Sequence, residues 1–384
     1  MRRAYKYRIY PTKTQEKILI TNLRLCCNLY NVSLQHRRDV YKSIQRSVSY
    51  KEQANELPLI KSDFPEYNNI HSQVLQDVLK RVEKSYKGFF SRIKSKSDKA
   101  GFPRFKSKDR FDSFTFPQSG YKICAGNKRI KLSQIGDVKI KFHRQIPEAA
   151  VIKTCTIKRE GSNHWYCVLS CDIPIKVIEK KSVSSPIGID LGLTDFVFLS
   201  DGTKIKNPKH LRKSEERLKE IQSEYSLSKT KSNKRMLIGL HRKITNQRND
   251  FLHKTSRQLV NTYDLIAYED LKIKKMIISA VNDDDPRKQR LPKHIHDASW
   301  GKFIAMIKYK AEEAGTYAIA VNPKNTSQKC SGCGTLIPKD LYERTHSCHI
   351  CGLSVHRDYN SALNILASGT DAHFLEAPSS LDKG

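Results

Sequence analysis

The sequence predicts a multidomain α/β protein: a mixed-sheet domain in the C-terminal half, interrupted by a four-cysteine ribbon, and an N-terminal β-barrel that carries a helical insertion. Three observations predict it. Strand-like and helical segments alternate from residue 186 onward, two CxxC pairs fall near the C-terminus, and the first half runs strand, helices, then short β-like runs.

The chain has 384 residues and 38% hydrophobic content, enough for two or three cores. Lys plus Arg total 70 against 39 for Asp plus Glu, a formal charge of +31 that points to a polyanionic partner, with nucleic acid the obvious one. A merely soluble surface would not need such an excess over most of the chain. No run approaches the roughly 20 apolar residues of a spanning helix. The opening MRRAYKYRIYPTKTQ also lacks a signal-peptide apolar region, so a cytoplasmic protein without membrane partners is expected. Outside the CxxC pairs, Cys26, Cys27, Cys124, Cys155, Cys167 and Cys171 show no disulfide-like spacing, which fits a reducing compartment.

AYKYRIYPT alternates apolar and polar residues for one strand and stops at Pro11, after which TQEKILITNLRLCCNLYNVSLQHRRDVY has helical period. Another helix is predicted over SQVLQDVLKRVEKSYKGFFSRIK, with Val74, Val78, Val82 and Phe89 on one face and Lys80, Arg81, Lys84 and Lys87 on others. From GFPRFK at Gly101, the runs FTFPQ, KRIKLS, DVKIKF, VIKTCTIKRE and HWYCVLSCDIP predict a small antiparallel barrel. If the first strand joins it, residues 1–13 and 99–183 form the barrel and 14–98 are the helical insertion. VIEKKSVSSP marks a domain boundary near residue 184.

PIGIDLGLTDFVFLSDGTKIK reads as three strands, the last two joined by an Asp201-Gly202 turn. In the long helix that follows, Leu240, Ile244, Phe251, Thr255 and Leu259 form a stripe, with Arg242, Lys243, Arg248, Lys254 and Arg257 largely off it. Next come the strand DLIAYED, a mobile charged stretch through Arg290, a helix from Trp300 to Gly315 and the strand TYAIAVNP. Three strands, helix, strand, helix, strand is an RNase H-like order, here spanning 184–325 and 354–369, with 326–353 inserted and a disordered tail over 370–384.

Asp190, inside the apolar strand Gly188-Ile189-Asp190-Leu191, is costly to bury unless a metal or cation compensates it; a turn or salt-bridge carboxylate is the plain alternative. Glu269 ends the apolar strand Leu265-Ile266-Ala267-Tyr268, where strand-end carboxylates can converge at one sheet edge. Asp270 rivals it, and strand alternation alone does not choose between them. Asp358 stands where helical period begins in HRDYNSALNIL, so a helix cap is its plain alternative. Together the three carboxylates offer the oxygen-rich site that two Mg²⁺ ions, about 3.5–4 Å apart, use for phosphodiester hydrolysis.

Cys330, Cys333, Cys348 and Cys351 form two CxxC knuckles that can present four thiolates to one tetrahedral Zn²⁺. His346 and His349 are spare, since four cysteines close the shell and make the zinc structural. His294-Ile295-His296 is a decoy for a His-x-His metal motif, placed by the sequence in a charged loop.

With these residues assembled, the chain closely resembles the TnpB family of transposon-associated RNA-guided nucleases, related to type V CRISPR effectors. YKYRIYPT, GFPRFK, GIDLGLTDF, NQRNDFLHK, SWGKF, NTSQKCSGCG and the closing CxxC with HRDYNSALNIL carry the resemblance over nearly the whole chain. It implies a wedge barrel with a helical recognition insertion, then a RuvC domain interrupted by a zinc finger, with Asp190, Glu269 and Asp358 on the catalytic positions. It also implies a guide RNA derived from the transposon end, a double-stranded DNA target read by base pairing, and a short target-adjacent DNA motif read by the N-terminal half. The protein would act as a monomer with its RNA at the DNA of a prokaryotic cell. By that analogy Ser72, Gln73, Gln76 and Gln118 would face the motif, Gln being suited to adenine edges; Ser72 stands where a related member has lysine, so the motif read would differ. The alternatives are a guide-dependent repressor without cleavage, a protein acting directly or as an accessory in transposition, and a guide-independent structure-specific nuclease. The complete acidic trio speaks against the first, the lack of a recombinase constellation against the second, and the basic N-terminal half against the third.

Overall fold

Tyr5, Tyr7 and Ile9 are buried and alternate with Lys6 and Arg8, and in this computed structural model that period makes strand β1 (Arg2–Tyr10). The structure describes residues 2–95, 100–124, 126, 128–161, 164–174, 179–283, 285, 289–340 and 343–376. They fall into two compact units, Met1–Ile175 and Lys176–Gly384.

In the first unit β1 lies inside a seven-stranded antiparallel sheet with β2 (Ser113–Phe116), β3 (Tyr121–Cys124), β4 (Arg129–Leu132), β5 (Gly136–Lys141), β6 (Val151–Glu160) and β7 (His164–Asp172). The order is β2-β6-β7-β1-β5-β4-β3. Ile9 pairs with Ile140 of β5 on one side and Trp165 of β7 on the other, so the helices lie between strands of one sheet. β3, half-exposed at an edge, lies outside the runs that the sequence marks as β-like. No ladder joins β2 and β3 among the described residues, but Phe116 and Tyr121 meet with ring centroids 6.4 Å apart.

Pro11 ends β1, and a Thr12–Gln15 capping box starts the helix Lys13–Ile44. Short helices Tyr50–Asn55 and Leu57–Asp63 lead to the helix Ser72–Lys94, which buries Val74, Val78 and Val82 and leaves Phe89 half-buried. Arg37 ties the helices together, donating to Gln53 (2.8 Å) and Glu83 (2.7 Å).

The second unit is built on a five-stranded mixed sheet: β8 (Pro186–Leu191), β9 (Asp195–Leu199), β10 (Lys204–Lys206), β11 (Leu265–Glu269) and β12 (Tyr317–Val321), in the order β10-β9-β8-β11-β12. β8 to β10 are antiparallel, turning at Gly202 with φ +89°, and β11 runs parallel to both β8 and β12.

Side-chain alternation divides this sheet into two faces. Ile187, Ile189, Ile266 and Tyr268 share a core with Leu252 and Leu259 of the helix Lys231–Thr262 and with Phe303 and Ile307 of the helix Trp300–Ala314. Residues between them on the strands face the other way, toward the helix Arg357–Glu376. That helix sits very close: a Cβ on Gly188 would lie 2.2 Å from the Ala362 carbonyl, and one on Gly369 would lie 2.3 Å from the Ala267 Cβ.

Three expectations need correction. The charged stretch after β11, expected to be mobile, holds a helix at Ile273–Val281 that buries Ala280. His294-Ile295-His296 lies in a helix, Leu291–Ala298, whose Ile295 packs into the core, so burial of the apolar face overrides the charged composition. The predicted tail from residue 370 is helical as far as Glu376, where Thr370 donates to the Leu366 carbonyl (3.1 Å) and His373 packs on Tyr317; residues 377–384 lie outside the described residues. Among the described residues no helix is long and apolar enough to cross a membrane.

Candidate active site and zinc module

Asp190 sits one step past Ile189 on β8, and Glu269 one step past Tyr268 on β11. Ile189 and Tyr268 are register partners in parallel strands, so the next step sets the two carboxylates side by side, with strands about 4.8 Å apart. Both belong to the face covered by the helix Arg357–Glu376, which brings Asp358 in from its first turn.

Asp190 lies within electrostatic reach of both other acids. Burial lifts the Asp190 carboxyl well above the ordinary carboxylate range, Glu269 and then Asp358 raise it further as like charges, and Arg357 opposes them. Burial raises Glu269 as well, against a hydrogen bond from the Thr326 hydroxyl to Oε1. Asp270 does not join them. Its side chain is 55% exposed and pairs with Lys272, while its amide donates to the Val321 carbonyl (2.9 Å). Asp358 is the second helical residue, and its carboxylate meets side chains rather than capping: Arg357 Nε at 3.3 Å, Arg344 Nη1 at 3.9 Å and His356 Nδ1 at 3.9 Å. Oxygen donors of this kind, two of them buried carboxyls whose affinity for a proton is raised, suit a hard divalent cation.

The four cysteines form a second site. Gly334 and Gly352, with φ of +79° and +75°, each donate an amide hydrogen bond of 2.9 Å back to the first cysteine of their pair, giving two matching knuckles. Hydrogen bonding to Thr335 brings the Cys333 thiol down to about 6. Sγ–Sγ distances are 3.6 Å for both Cys330–Cys351 and Cys333–Cys348. Thiolates at about 2.3 Å from one tetrahedral zinc would stand roughly 3.8 Å apart, so the cluster fits a structural zinc site. Among the described residues these four are the only group of three or more ligand atoms that all lie within 4.8 Å of one another, and the three carboxylates form no such tight group.

Thr326, Asn360 and Asn364 link the two sites and were not singled out in the sequence. Asn360 is fully buried, accepting from the Ser331 amide (2.9 Å) and donating to the Lys329 carbonyl (2.8 Å); Asn364 donates to the Thr326 and Lys329 carbonyls. Two asparagines one helical turn apart, just after an acidic residue, were the available signal. Arg344 reaches Asp358 from the loop between the knuckles and has no such marker.

In the N-terminal unit Ser72, Gln73, Gln76 and Gln118, the residues expected to face a DNA motif, lie at the start of the helix Ser72–Lys94 and in the β2–β3 loop. Ser119 donates to Gln73 Oε1 through both its amide and hydroxyl (3.1 Å each), and Lys61 donates to the Ser72 hydroxyl (2.8 Å). Gln76 is half-buried and Gln118 exposed.

Three family models match this chain: one described as a helix-turn-helix domain over residues 1–46, one as a probable transposase over 167–279, and one as the Cas12f1-like TNB domain over 300–365. The first falls on β1 and one unbroken helix. A relative from Streptomyces pristinaespiralis, named as a candidate RNA-guided DNA endonuclease, is 30% identical over 383 residues, covering 97% of this chain and 90% of its own. The chain belongs to the TnpB family. A second relative, InsQ of Escherichia coli (strain K12), is 30% identical over 95% of this TnpB-family chain and 92% of its own, and carries the same description. The solved structure of a Cas12f1–sgRNA–target DNA complex aligns over 95% of this chain and 98% of that one, with a TM-score of 0.56. At 13% identity it supports the mixed α/β fold alone.

Proposed function

We propose that this TnpB-family protein is an RNA-guided DNA endonuclease whose catalytic carboxylates are Asp190, Glu269 and Asp358. The observation that carries the reading is the placement of Asp190 and Glu269 side by side on one sheet face with Asp358 brought toward Asp190 by the helix that covers it, in a chain related over nearly its whole length to proteins named for that activity.

In this reading the unit from Lys176 onward is a RuvC-type, RNase H-like nuclease domain with a zinc finger at 326–353, which continues through 354–369. Residues 1–13 and 99–183 form a wedge barrel around the recognition insertion 14–98. Ser72, Gln73, Gln76 and Gln118 face the target-adjacent motif, and the guide RNA comes from the transposon end.

Asp190, Glu269 and Asp358 would hold divalent magnesium, which when bound as a pair activates water and stabilises the leaving oxygen of a phosphodiester. A trio that serves two ions has no need to close around one. The Thr326 hydroxyl favours ionised Glu269. Arg344 and Arg357 place positive charge beside Asp358, where a scissile phosphate would need it. The Arg357 amide donates to the Arg344 carbonyl at 2.8 Å, which ties Arg344 to the start of the helix Arg357–Glu376.

The test is to purify the protein with RNA expressed from its own locus and assay Mg²⁺-dependent cutting of guide-matched duplex DNA. Cutting that needs both RNA and Mg²⁺ supports the reading. Protein without bound RNA overturns it, and matched DNA that is held but uncut favours the repressor alternative.

A further inference from the structure

Several aromatic side chains that packing would ordinarily bury meet solvent together in the N-terminal unit. On the last turns of the helix Ser72–Lys94, Tyr86 and Phe89 are half-buried and Phe90 is 53% exposed; Phe102 and Phe105, from GFPRFK, are 44% and 48% exposed. By contrast Phe111, Phe114 and Phe116 of the same unit are 1–2% exposed. The exposed rings form one patch, with centroids 5.2 Å apart for Phe89–Phe90, 5.0 Å for Phe89–Phe102 and 5.7 Å for Tyr86–Phe102.

The patch is held open. The Arg38 guanidinium lies 4.9 Å from the Phe102 ring and 4.5 Å from the Phe105 ring, and donates to the intervening Pro103 carbonyl at 2.6 Å. These contacts fix both rings on the surface. Exposed apolar clusters of this kind mark interaction sites, and here the surrounding charge selects the partner. The described residues 84–95 and 100–108 carry seven Lys or Arg and no acidic residue, with Glu83 and Asp109 at their borders. An apolar protein surface would not call for that charge, and a bare polyanion would not call for the rings. An unpaired nucleic-acid strand answers both, because each base has a flat π face and each linkage a negative charge.

We propose that Phe90, Phe102 and Phe105 form a stacking platform for unpaired nucleobases of a strand whose phosphates run along the flanking lysines and arginines. The proposal rests on the function above only in taking nucleic acid as the partner.

The test measures binding of the full-length protein to a fluorescein-labelled single-stranded oligonucleotide and to the same strand with abasic residues, as a function of salt. Phe90→Ala should weaken binding of the base-bearing strand roughly five- to a hundredfold. It should leave abasic-strand affinity and the salt slope unchanged, because stacking releases no counterions. Phe90→Tyr should bind like wild type and Phe90→Leu like Phe90→Ala. Equal weakening on both strands, rescue by leucine, or no change in Phe90→Ala would each overturn the platform. Cleavage is scored separately: a protein that binds bases through Phe90 but does not cut guide-matched DNA contradicts the nuclease reading and leaves the platform standing.

Discussion

The Ala362 carbonyl oxygen lies 2.2 Å from the point that a Cβ on Gly188 would occupy, so the helix carrying Asp358 rests directly on the strand carrying Asp190. The spacing between Asp190 and Asp358, two of the proposed catalytic carboxylates, is thereby set by a missing side chain. Gly188→Ala should destabilise the protein by about 1–3 kcal/mol through overpacking and abolish Mg²⁺-dependent cleavage, as read by thermal unfolding and a nuclease assay. Gly239→Ala is the control. It lies in the helix Lys231–Thr262 with nothing within 4 Å of its Cβ position, and should be neutral or stabilising by up to ~1 kcal/mol.

Thr326→Val removes the hydroxyl that donates to Glu269 and keeps the shape. The Thr326 bond lowers the Glu269 affinity for a proton against the effect of burial, so its loss raises that affinity. In the proposed mechanism Glu269 acts ionised, as a metal ligand. The acid limb of the pH–rate profile should therefore move to higher pH; an unmoved limb would show that the bond has no catalytic effect.

The zinc finger is coupled to the nuclease helix through Asn360. Cys330→Ser should lose zinc, as measured by metal analysis, and lower thermal stability. Asn360→Ala should retain zinc yet cost about 1 kcal/mol, because it leaves the half-buried Ser331 amide without its partner and removes one of the two donors, the other being Asn364, to the Lys329 carbonyl.

Lys310 is 3% exposed and donates to the His253 carbonyl and the Ser256 hydroxyl, both at 2.7 Å. Burial, reinforced by Arg257, brings its ammonium down to about 8 from 10.5. Between those values the unfolded chain binds more protons than the folded one, so this group's contribution to stability rises with pH, and its destabilising effect is complete below pH 8. Chemical denaturation at pH 7 and pH 10 should show wild type gaining stability relative to Lys310→Met. Parallel behaviour of the two proteins would contradict the assignment.

Strand and helix order in the C-terminal half was legible because apolar runs such as Leu265–Tyr268 and the paired cysteines are local signals. The choice of Glu269 over Asp270 was not. It depends on the register of β11 against β8, a contact between segments some 80 residues apart. Thr326, Asn364 and Arg344 escaped for the same reason, since each acts through a partner distant in sequence. The His294 and His296 pair misled because composition suggested a loop, whereas the burial of Ile295 makes a helix there.

Cleavage of guide-matched duplex DNA by Asp190→Asn protein, loaded with its RNA and supplied with Mg²⁺, tests the central claim most directly. Asn keeps the shape of the side chain and removes the charge that a metal needs. The variant should bind RNA and matched DNA as wild type does and leave the DNA intact; cutting at the wild-type rate would show that the three converging carboxylates are not the active site.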